Sequence, residues 1–302
     1  MRTIPLSISG ILVGSAAALI KNEFNVSVFT LAILTTVCYQ LLSNFANDYG
    51  DGIKGTDNDE RLGPKRILQS ELISRTQLRQ AIFVISGVAV LLTILLVYSA
   101  FGLSKTALTF LGLGFLAIVA AIRYTVGSNA YGYKGFGDLF VFLFFGSISV
   151  LGSHYLYTFE LDLSLIFPAI SIGLLSVGVL NINNMRDRVN DKQFGKTTIA
   201  VRLGAEKATL YQLALVGIPV ILTVFYGLIY HAIAFVMMSV IMMIPISLHL
   251  RVVFQKQNEK NFDPSQTGAT YALGSKVLLE MNYAEFQGYN YVKKSQMENG
   301  NP

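Results

Sequence analysis

Of 302 residues, only one is a cysteine, Cys38, and only 14% are charged. A single thiol excludes an internal disulfide and argues against a cysteine-based metal site. Cys38 therefore reads as a small buried apolar residue. A soluble domain carries roughly 25% charged residues, so the low figure argues against a soluble globular protein. Histidine is equally scarce. His154, His231 and His249 are scattered without partners in the pattern, and none is assigned catalysis. No clear cleavage site follows Met1-Arg2, so no removable signal peptide is expected. No nucleic-acid partner is expected either.

What fills the chain instead is hydrophobic residues, 53% of the total. They gather into runs near twenty residues long, the span of a bilayer core. Helices are expected near 5–21, 26–49, 78–99, 104–125, 136–157, 164–186, 206–228 and 230–250, with a weaker ninth near 266–288. The fold class is an all-α polytopic membrane protein, a bundle of eight to nine transmembrane helices around a central cavity. We expect one domain over 1–292 and a disordered polar tail over 293–302. Recurrent small residues, Gly112, Gly114, Gly173 and Gly178, suit close helix approach or room for a ligand.

Basic residues fall in alternate connections. Lys54, Arg61, Lys65, Arg66, Arg75 and Arg79 follow the second run; Arg123 and Lys134 follow the fourth; Arg186, Arg188, Lys192, Lys196, Arg202 and Lys207 follow the sixth. The intervening connections are nearly bare. Positive connections stay on the cytoplasmic side. The N-terminus and these connections are therefore expected in the cytoplasm, with the cavity open to that side.

Two acidic clusters occupy the same connections, each after a long apolar run. The first is Asn44-Phe-Ala-Asn47-Asp48-Tyr-Gly-Asp51, continuing to Gly55-Thr56-Asp57; the second is Asn183-Asn184-Met-Arg186-Asp187-Arg-Val-Asn190-Asp191. Carboxylates in or near a bilayer are costly, so their default reading is functional. Asp48 and Asp51 are three residues apart, Asp187 and Asp191 four, so each pair shares a helical face. Asn44 and Asn184 share those faces, and Asp57 is placed to close the first site from outside. Mg²⁺ prefers oxygen ligands and is commonly held by one or two carboxylates with substrate phosphates. The metal-ligand set is thus Asn44, Asp48, Asp51, Asp57, Asn184, Asp187 and Asp191. Lys54, Arg61, Lys65, Arg66, Lys196 and Arg202 are the cations for a diphosphate, since arginine offers a bidentate fork to phosphate oxygens. The bland alternative is a set of ion pairs that merely neutralise one another at the membrane surface. Two clusters of similar format on one face weigh against it.

Near the third basic connection, Arg123, Tyr124, Tyr131 and Lys134 are placed to hold an acceptor carboxylate, although tyrosines are also common at membrane interfaces. Phe136, Phe140, Phe142, Phe144 and Phe145 make an aromatic-rich helix. Such faces can steady a cation, but packing is the commoner use, and no single Phe is singled out. Asp138 either caps that helix or joins the site.

At three blocks the chain resembles the UbiA superfamily of intramembrane aromatic prenyltransferases. They are NFANDYGDGIKGTDNDERLGPKR from Asn44, YGYKGFGDLFVFLFFG from Tyr131, and NNMRDRVNDKQFGKTTIAVRLG from Asn183. The Gly52 after Asp51, where 4-hydroxybenzoate enzymes typically carry Arg, and the AVRLG ending make it similar to the naphthoate branch. The resemblance implies that Asp48, Asp51, Asp187, Asp191 and Lys196 carry the chemistry with Mg²⁺ as cofactor. It implies prenyl transfer from a polyprenyl diphosphate to 1,4-dihydroxy-2-naphthoate, with loss of CO₂ and diphosphate, giving the diol form of demethylmenaquinone. Membrane lipid is then the remaining partner, and the bacterial inner membrane the location. Two alternatives stay open. One is a family enzyme for another acceptor, such as homogentisate, 4-hydroxybenzoate or a tetrapyrrole. The other is a transporter, whose coupling sites usually lie nearer the bilayer midplane.

Overall fold

Helix starts follow local capping chemistry. Asn25 accepts from the Ser27 and Val28 amides, Ser74 and Gln77 form a reciprocal capping box, and Ser104 and Thr198 accept from Ala107 and Val201. These caps open four of the helices in the computed structural model, which describes residues 3–58, 66–230 and 233–256. The helices are α1 (Ile4–Ile20), α2 (Val26–Lys54), α3 (Arg75–Phe101), α4 (Lys105–Arg123), α5 (Gly137–Val141), α6 (Ser149–Thr158), α7 (Ile166–Gln193), α8 (Ile199–Ile229) and α9 (Ile233–Lys256). A π-helical stretch, Phe142–Ile148, joins α5 to α6 into one rod. No strand occurs among the described residues.

Six of these rods are long and apolar enough to cross a membrane. The bundle is an all-α integral membrane protein. Half of the α7 span (56%) is buried against 22% for α3 and α4, so α7 runs through the centre. Outside, Phe83, Val84, Leu91, Leu108, Phe115 and Leu116 are exposed. An apolar exterior of this kind suits lipid, where helices associate by packing rather than by expulsion of water. Small residues provide that packing. A side chain on Gly146 would meet the Ala169 carbonyl at 2.5 Å and Gly173 Cα at 2.8 Å, so the π segment lies directly on α7. Gly10 and Gly14 likewise bring α1 against Ser149 and Ser153 of α6. Of the glycines expected to permit close approach, Gly114 faces Thr93 and Tyr39, Gly173 faces Phe142, and Gly178 makes ordinary contact with Gln212. Gly112 faces open space.

Each of the eight strong apolar runs forms a helix, but three boundaries differ informatively. α2 was expected to stop near 49 and α7 near 186; they continue to Lys54 and Gln193. At 29 and 28 residues, they are about 43 Å long at 1.5 Å per residue, exceeding a hydrocarbon core of about 30 Å. The acidic clusters therefore sit inside the last turns of two over-long helices. Gly55, at φ +75°, ends α2 in the left-handed conformation that favours glycine. α8 begins at Ile199 rather than near 206, with a kink at Gly204, φ +77°. The weak ninth run near 266–288 and the tail 293–302 lie outside the described residues.

Candidate functional site

The ends of α2, α4 and α7 and the start of α8 meet at one end of the bundle. Lys54 Nζ donates to the Thr125 carbonyl at 2.7 Å, tying α2 to the α4–α5 connection. The Tyr133 carbonyl in that connection accepts from Thr197 N at 2.9 Å and Thr197 Oγ1 at 2.8 Å, tying it to the α7–α8 turn. Asn190 of α7 closes the third side. Its Nδ2 donates to the Thr56 carbonyl at 2.7 Å, and its Oδ1 accepts from Asn58 Nδ2 at 2.9 Å. The two acidic clusters, more than a hundred residues apart, are thereby brought together.

Lys196 is the direct link. Its Nζ lies 3.1 Å from Asp51 Oδ2 and 3.8 Å from Asp191 Oδ1. Burial opposes its charge, but Asp51 and Asp191 outweigh burial and hold the ammonium above the ordinary lysine range. Tyr133 OH also donates to Asp51 Oδ1 at 2.8 Å. Burial first, and Asp51 second, push that phenol up. Asn47, its amide turned to satisfy both ends, donates to Asp51 and accepts from Arg66, each at 3.2 Å. Arg66 Nη1 reaches Asp48 Oδ1 at 2.7 Å, and its Nε lies 3.8 Å from Asp57 Oδ1. Burial works against the Arg66 charge, yet Asp48, Asp57, Asp51 and Asp187 together hold its guanidinium above its usual range. On α7, Arg186 forks onto Asp187 through Nε at 2.8 Å and Nη2 at 2.7 Å, and Nη1 reaches Asn183 at 3.2 Å.

These groups head a cavity of about 1330 Å³. Asp48, Arg66, Asn184, Arg186, Asp187, Asp191 and Lys196 line its polar end. From there an apolar wall follows one face of α4, through Ala120, Ala117, Leu113 and Phe110, as far as Thr106 and Lys105. The cavity thus runs the length of α4, about 28 Å for 19 residues. Opposite α4, the π segment supplies Phe144, Phe145 and Ile148. Four of the lining rings form a series. Tyr124 meets Tyr131 edge-on at 5.4 Å, Tyr131 stacks on Phe140 at 4.0 Å, and Phe140 stacks on Phe144 at 6.3 Å.

Several expected residues are placed elsewhere. Asp51 stands behind Lys196 and Tyr133 rather than on the cavity wall. Asp57 lines a separate pocket of about 600 Å³ with Gly52, Leu68 and Gln77. Lys54 faces the Tyr133 ring, 3.7 Å from its centroid, off the main cavity. Arg123, Lys134 and Arg202 are exposed and outside it. Lys134 bonds Asn129, and Arg202 bonds the Lys134 carbonyl at 2.6 Å. The adjacent Tyr124 and Tyr131 do line the cavity, so the acceptor set is split by helical facing. Asn44 lines it too and accepts from Gln40 Nε2 at 3.2 Å. Asp138 accepts from Tyr211 OH at 3.0 Å beside the site and makes no N-cap bond. Phe136 is exposed and Phe142 packs on Gly173. Arg61 and Lys65 lie outside the described residues. Arg186, Tyr133, Asn190 and Asn47 belong to the site without having been assigned to it. Asn47, Arg186 and Asn190 carried a signal, since each sits in an acidic cluster immediately beside a carboxylate.

A pocket charged at one end and apolar along its length suits an amphiphile with an anionic head and a long tail, so fold and site define a membrane-embedded lipid-handling protein. The sequence matches the UbiA prenyltransferase family over residues 7–266, and the chain belongs to that family. It is 46% identical to the 1,4-dihydroxy-2-naphthoate octaprenyltransferase of Haemophilus influenzae over 219 residues, 72% of this chain and 71% of that protein. The Escherichia coli protein of the same name is 44% identical over 71% of this chain and 70% of its own length. The fold matches an apo UbiA homologue from Aeropyrum pernix K1 with TM-score 0.65 and 18% identity, over 92% and 96% of the two chains. It also matches a UbiA homologue from Archaeoglobus fulgidus, solved bound to DMAPP and Mg²⁺, with TM-score 0.62 and 14% identity over 95% and 98%.

Proposed function

We propose that the protein transfers a polyprenyl group from a polyprenyl diphosphate to 1,4-dihydroxy-2-naphthoate, releasing diphosphate and CO₂. The observation that carries this reading is one cavity with three cations and carboxylates from both acidic clusters at its head and apolar side chains along the remainder. The naphthoate acceptor is supported by the relatives of that name at 38–46% identity.

The donor chemistry at the head is oxygen throughout, from Asp48, Asn184, Asp187 and Asp191, and fits a hard divalent cation such as Mg²⁺. Among the described residues no three acidic side chains converge to enclose an ion unaided. The carboxylates therefore fit an ion whose coordination phosphate oxygens complete. Bound with the diphosphate, Mg²⁺ supplies charge neutralisation to the departing group.

The chain's own residues do the rest. Arg66, Arg186 and Lys196 receive the diphosphate and stabilise the charge that grows on it as the allylic C–O bond breaks. The electron pair leaves with the diphosphate. The apolar wall keeps the tail extended and water away from the allylic cation. The faces of Tyr131, Phe140 and Phe144 offer it the negative side of their quadrupoles. An electron-rich naphthoate carbon then bonds to the cation, and the carboxylate leaves as CO₂. Tyr124 and Tyr131 flank the acceptor.

We place the enzyme in the bacterial inner membrane as one domain through residue 292, its charged end and N-terminus cytoplasmic, in keeping with the basic connections. The test is to incubate membranes containing the protein with Mg²⁺, a labelled polyprenyl diphosphate and a panel of aromatic acids, with mass spectrometry of the lipid formed. Prenylated naphthalenediol with CO₂ release is expected. Asp48→Ala and Asp187→Ala should each abolish it with expression retained. Product from a different acid, or full activity in both variants, rejects the assignment. Flux across vesicles without any product favours a transporter.

A further inference from the structure

Every carboxylate at the cavity head, and Asp51 just behind it, is already paired with a cation of the same chain. Asp48 is paired with Arg66 at 2.7 Å, Asp187 with Arg186 at 2.7 Å, Asp51 with Lys196 at 3.1 Å, and Asp191 with Lys196 at 3.8 Å. Both oxygens of Asp187 are engaged by the Arg186 fork. A divalent ion approaching alone meets four acidic groups screened by three fixed positive charges. To take Asp48 Oδ1, Asp51 Oδ2 or either oxygen of Asp187 it must displace a guanidinium or ammonium into a mostly buried site.

Removing one partner of a buried pair is strongly destabilising, because the other is left uncompensated. Displacement by metal alone would do that to Arg66, Arg186 or Lys196. Displacement by metal together with diphosphate would not. A guanidinium fork fits phosphate oxygens as well as carboxylate oxygens. Lys196, on a flexible four-carbon stem, needs only to swing from Asp51 and Asp191 toward the cavity it already lines. All charges remain paired if both partners change together.

We propose that Arg66, Arg186 and Lys196 act as resident counter-ions that exchange partners. They sit on the carboxylates when the site is free and move onto the diphosphate as divalent metal takes the carboxylates, so that metal binding is conditional on diphosphate. Arg186 thereby gains a substrate-binding role. Tyr133 and Asn47, bonded to Asp51, become positioning residues that keep this carboxylate in place as Lys196 leaves. The proposal rests on the diphosphate reading above but not on the acceptor or on turnover.

The coupling must be reciprocal: metal raises diphosphate affinity by the factor by which diphosphate raises metal affinity. The test uses purified full-length protein in detergent or nanodiscs at pH 8. Protein-retained Mn²⁺ and labelled pyrophosphate are each counted after equilibrium dialysis, across a membrane that passes their complex. Wild type should retain Mn²⁺ at least tenfold more tightly with pyrophosphate than without, and pyrophosphate at least tenfold more tightly with Mn²⁺. Lys196→Met and Arg66→Met should each bind Mn²⁺ alone at least tenfold more tightly than wild type and lose most of the dependence on pyrophosphate. Arg186→Lys, which keeps the charge but not the fork, should fall between. Equal Mn²⁺ retention by wild type with and without pyrophosphate overturns the proposal, as does no gain in either methionine variant. Should one variant fail to fold, the wild-type coupling and the other variant decide. Failure of the prenyl-transfer reading shows separately, as no prenylated lipid from any acid while these binding couplings persist.

Discussion

Asn190→Ala tests whether the two acidic helices are held together by the polar strap between them. Asn190 is buried and off the cavity wall, so its loss removes no substrate contact. It does remove the donor to the Thr56 carbonyl at 2.7 Å and the acceptor for Asn58 Nδ2 at 2.9 Å. Leaving a buried carbonyl unsatisfied costs about 1–3 kcal/mol, and losing a second, partly exposed hydrogen bond costs about 0.5–1.5 kcal/mol. The expected destabilisation is therefore about 2–4 kcal/mol. At about 2 °C per kcal/mol for a chain of this size, the apparent Tm in detergent should fall by roughly 4–8 °C.

The kinetic signature follows from what Thr56 holds. Its hydroxyl bonds Tyr133 OH at 2.6 Å, and Tyr133 in turn bonds Asp51. Freed from α7, this chain of contacts loses register with Lys196. KM for the prenyl diphosphate should rise about tenfold, equivalent to 1.4 kcal/mol, with a smaller fall in kcat. Asn190→Asp keeps the acceptor, loses the donor and adds a carboxylate beside Asp191, so it should be less stable than Asn190→Ala. An alanine variant with Tm within a degree of wild type and unchanged KM would refute the strap, as would an aspartate variant more stable than the alanine one.

Gly146→Val should lower Tm and activity together, because its side chain meets the Ala169 carbonyl at 2.5 Å and backbone cannot rotate away. Overpacking of this kind costs about 1–3 kcal/mol, and a melting scan of the Val and Ala variants should show a graded loss. Arg202→Ala should change KM for prenyl diphosphate less than twofold, since Arg202 is exposed, lies off the main cavity and donates to the Lys134 carbonyl at 2.6 Å; a tenfold rise in steady-state KM contradicts that placement. Burial pushes the Tyr124 hydroxyl up to about 12. The fold favours the neutral phenol, so its contribution to stability is full below about pH 10, the unfolded value, and is lost between there and about 12. The difference in melting temperature between wild type and Tyr124→Phe should be constant to pH 10 and change only above it.

The apolar runs made the helices legible because a bilayer imposes a length on them. α3 was expected over 78–99 and occupies Arg75–Phe101. Less legible was where polarity ceases to mean a helix end. α2 and α7 carry Asp48, Asp51, Asp187 and Asp191 within their final turns, since side chains from other elements neutralise them there. The π segment Phe142–Ile148 left no mark in the periodicity, yet it aims the aromatic wall. Spacing placed Asp187 and Asp191 on one face. It did not show Arg186 forking onto its immediate neighbour, because adjacent helical residues do not ordinarily face each other. Nor did charge counting separate Arg123, outside, from Tyr124, on the cavity wall.

The ion pairs at the bundle's end are not explained by stability. A buried pair is often no better than apolar residues of the same volume, and it is costly when one member is lost. The rest of this molecule shows how it is stabilised without them. Gly146 lies on Gly173, Gly10 and Gly14 lie against α6, and apolar side chains fill the contacts of α7 with α1 and α8. Charges kept paired at the head of an otherwise apolar cavity are better understood as poised for a ligand that can take them over. A diphosphate with its metal brings both signs at once, whereas a metal alone or an anion alone brings one. The same paired arrangement thus selects for the complete charged head and leaves the apolar wall to read the tail.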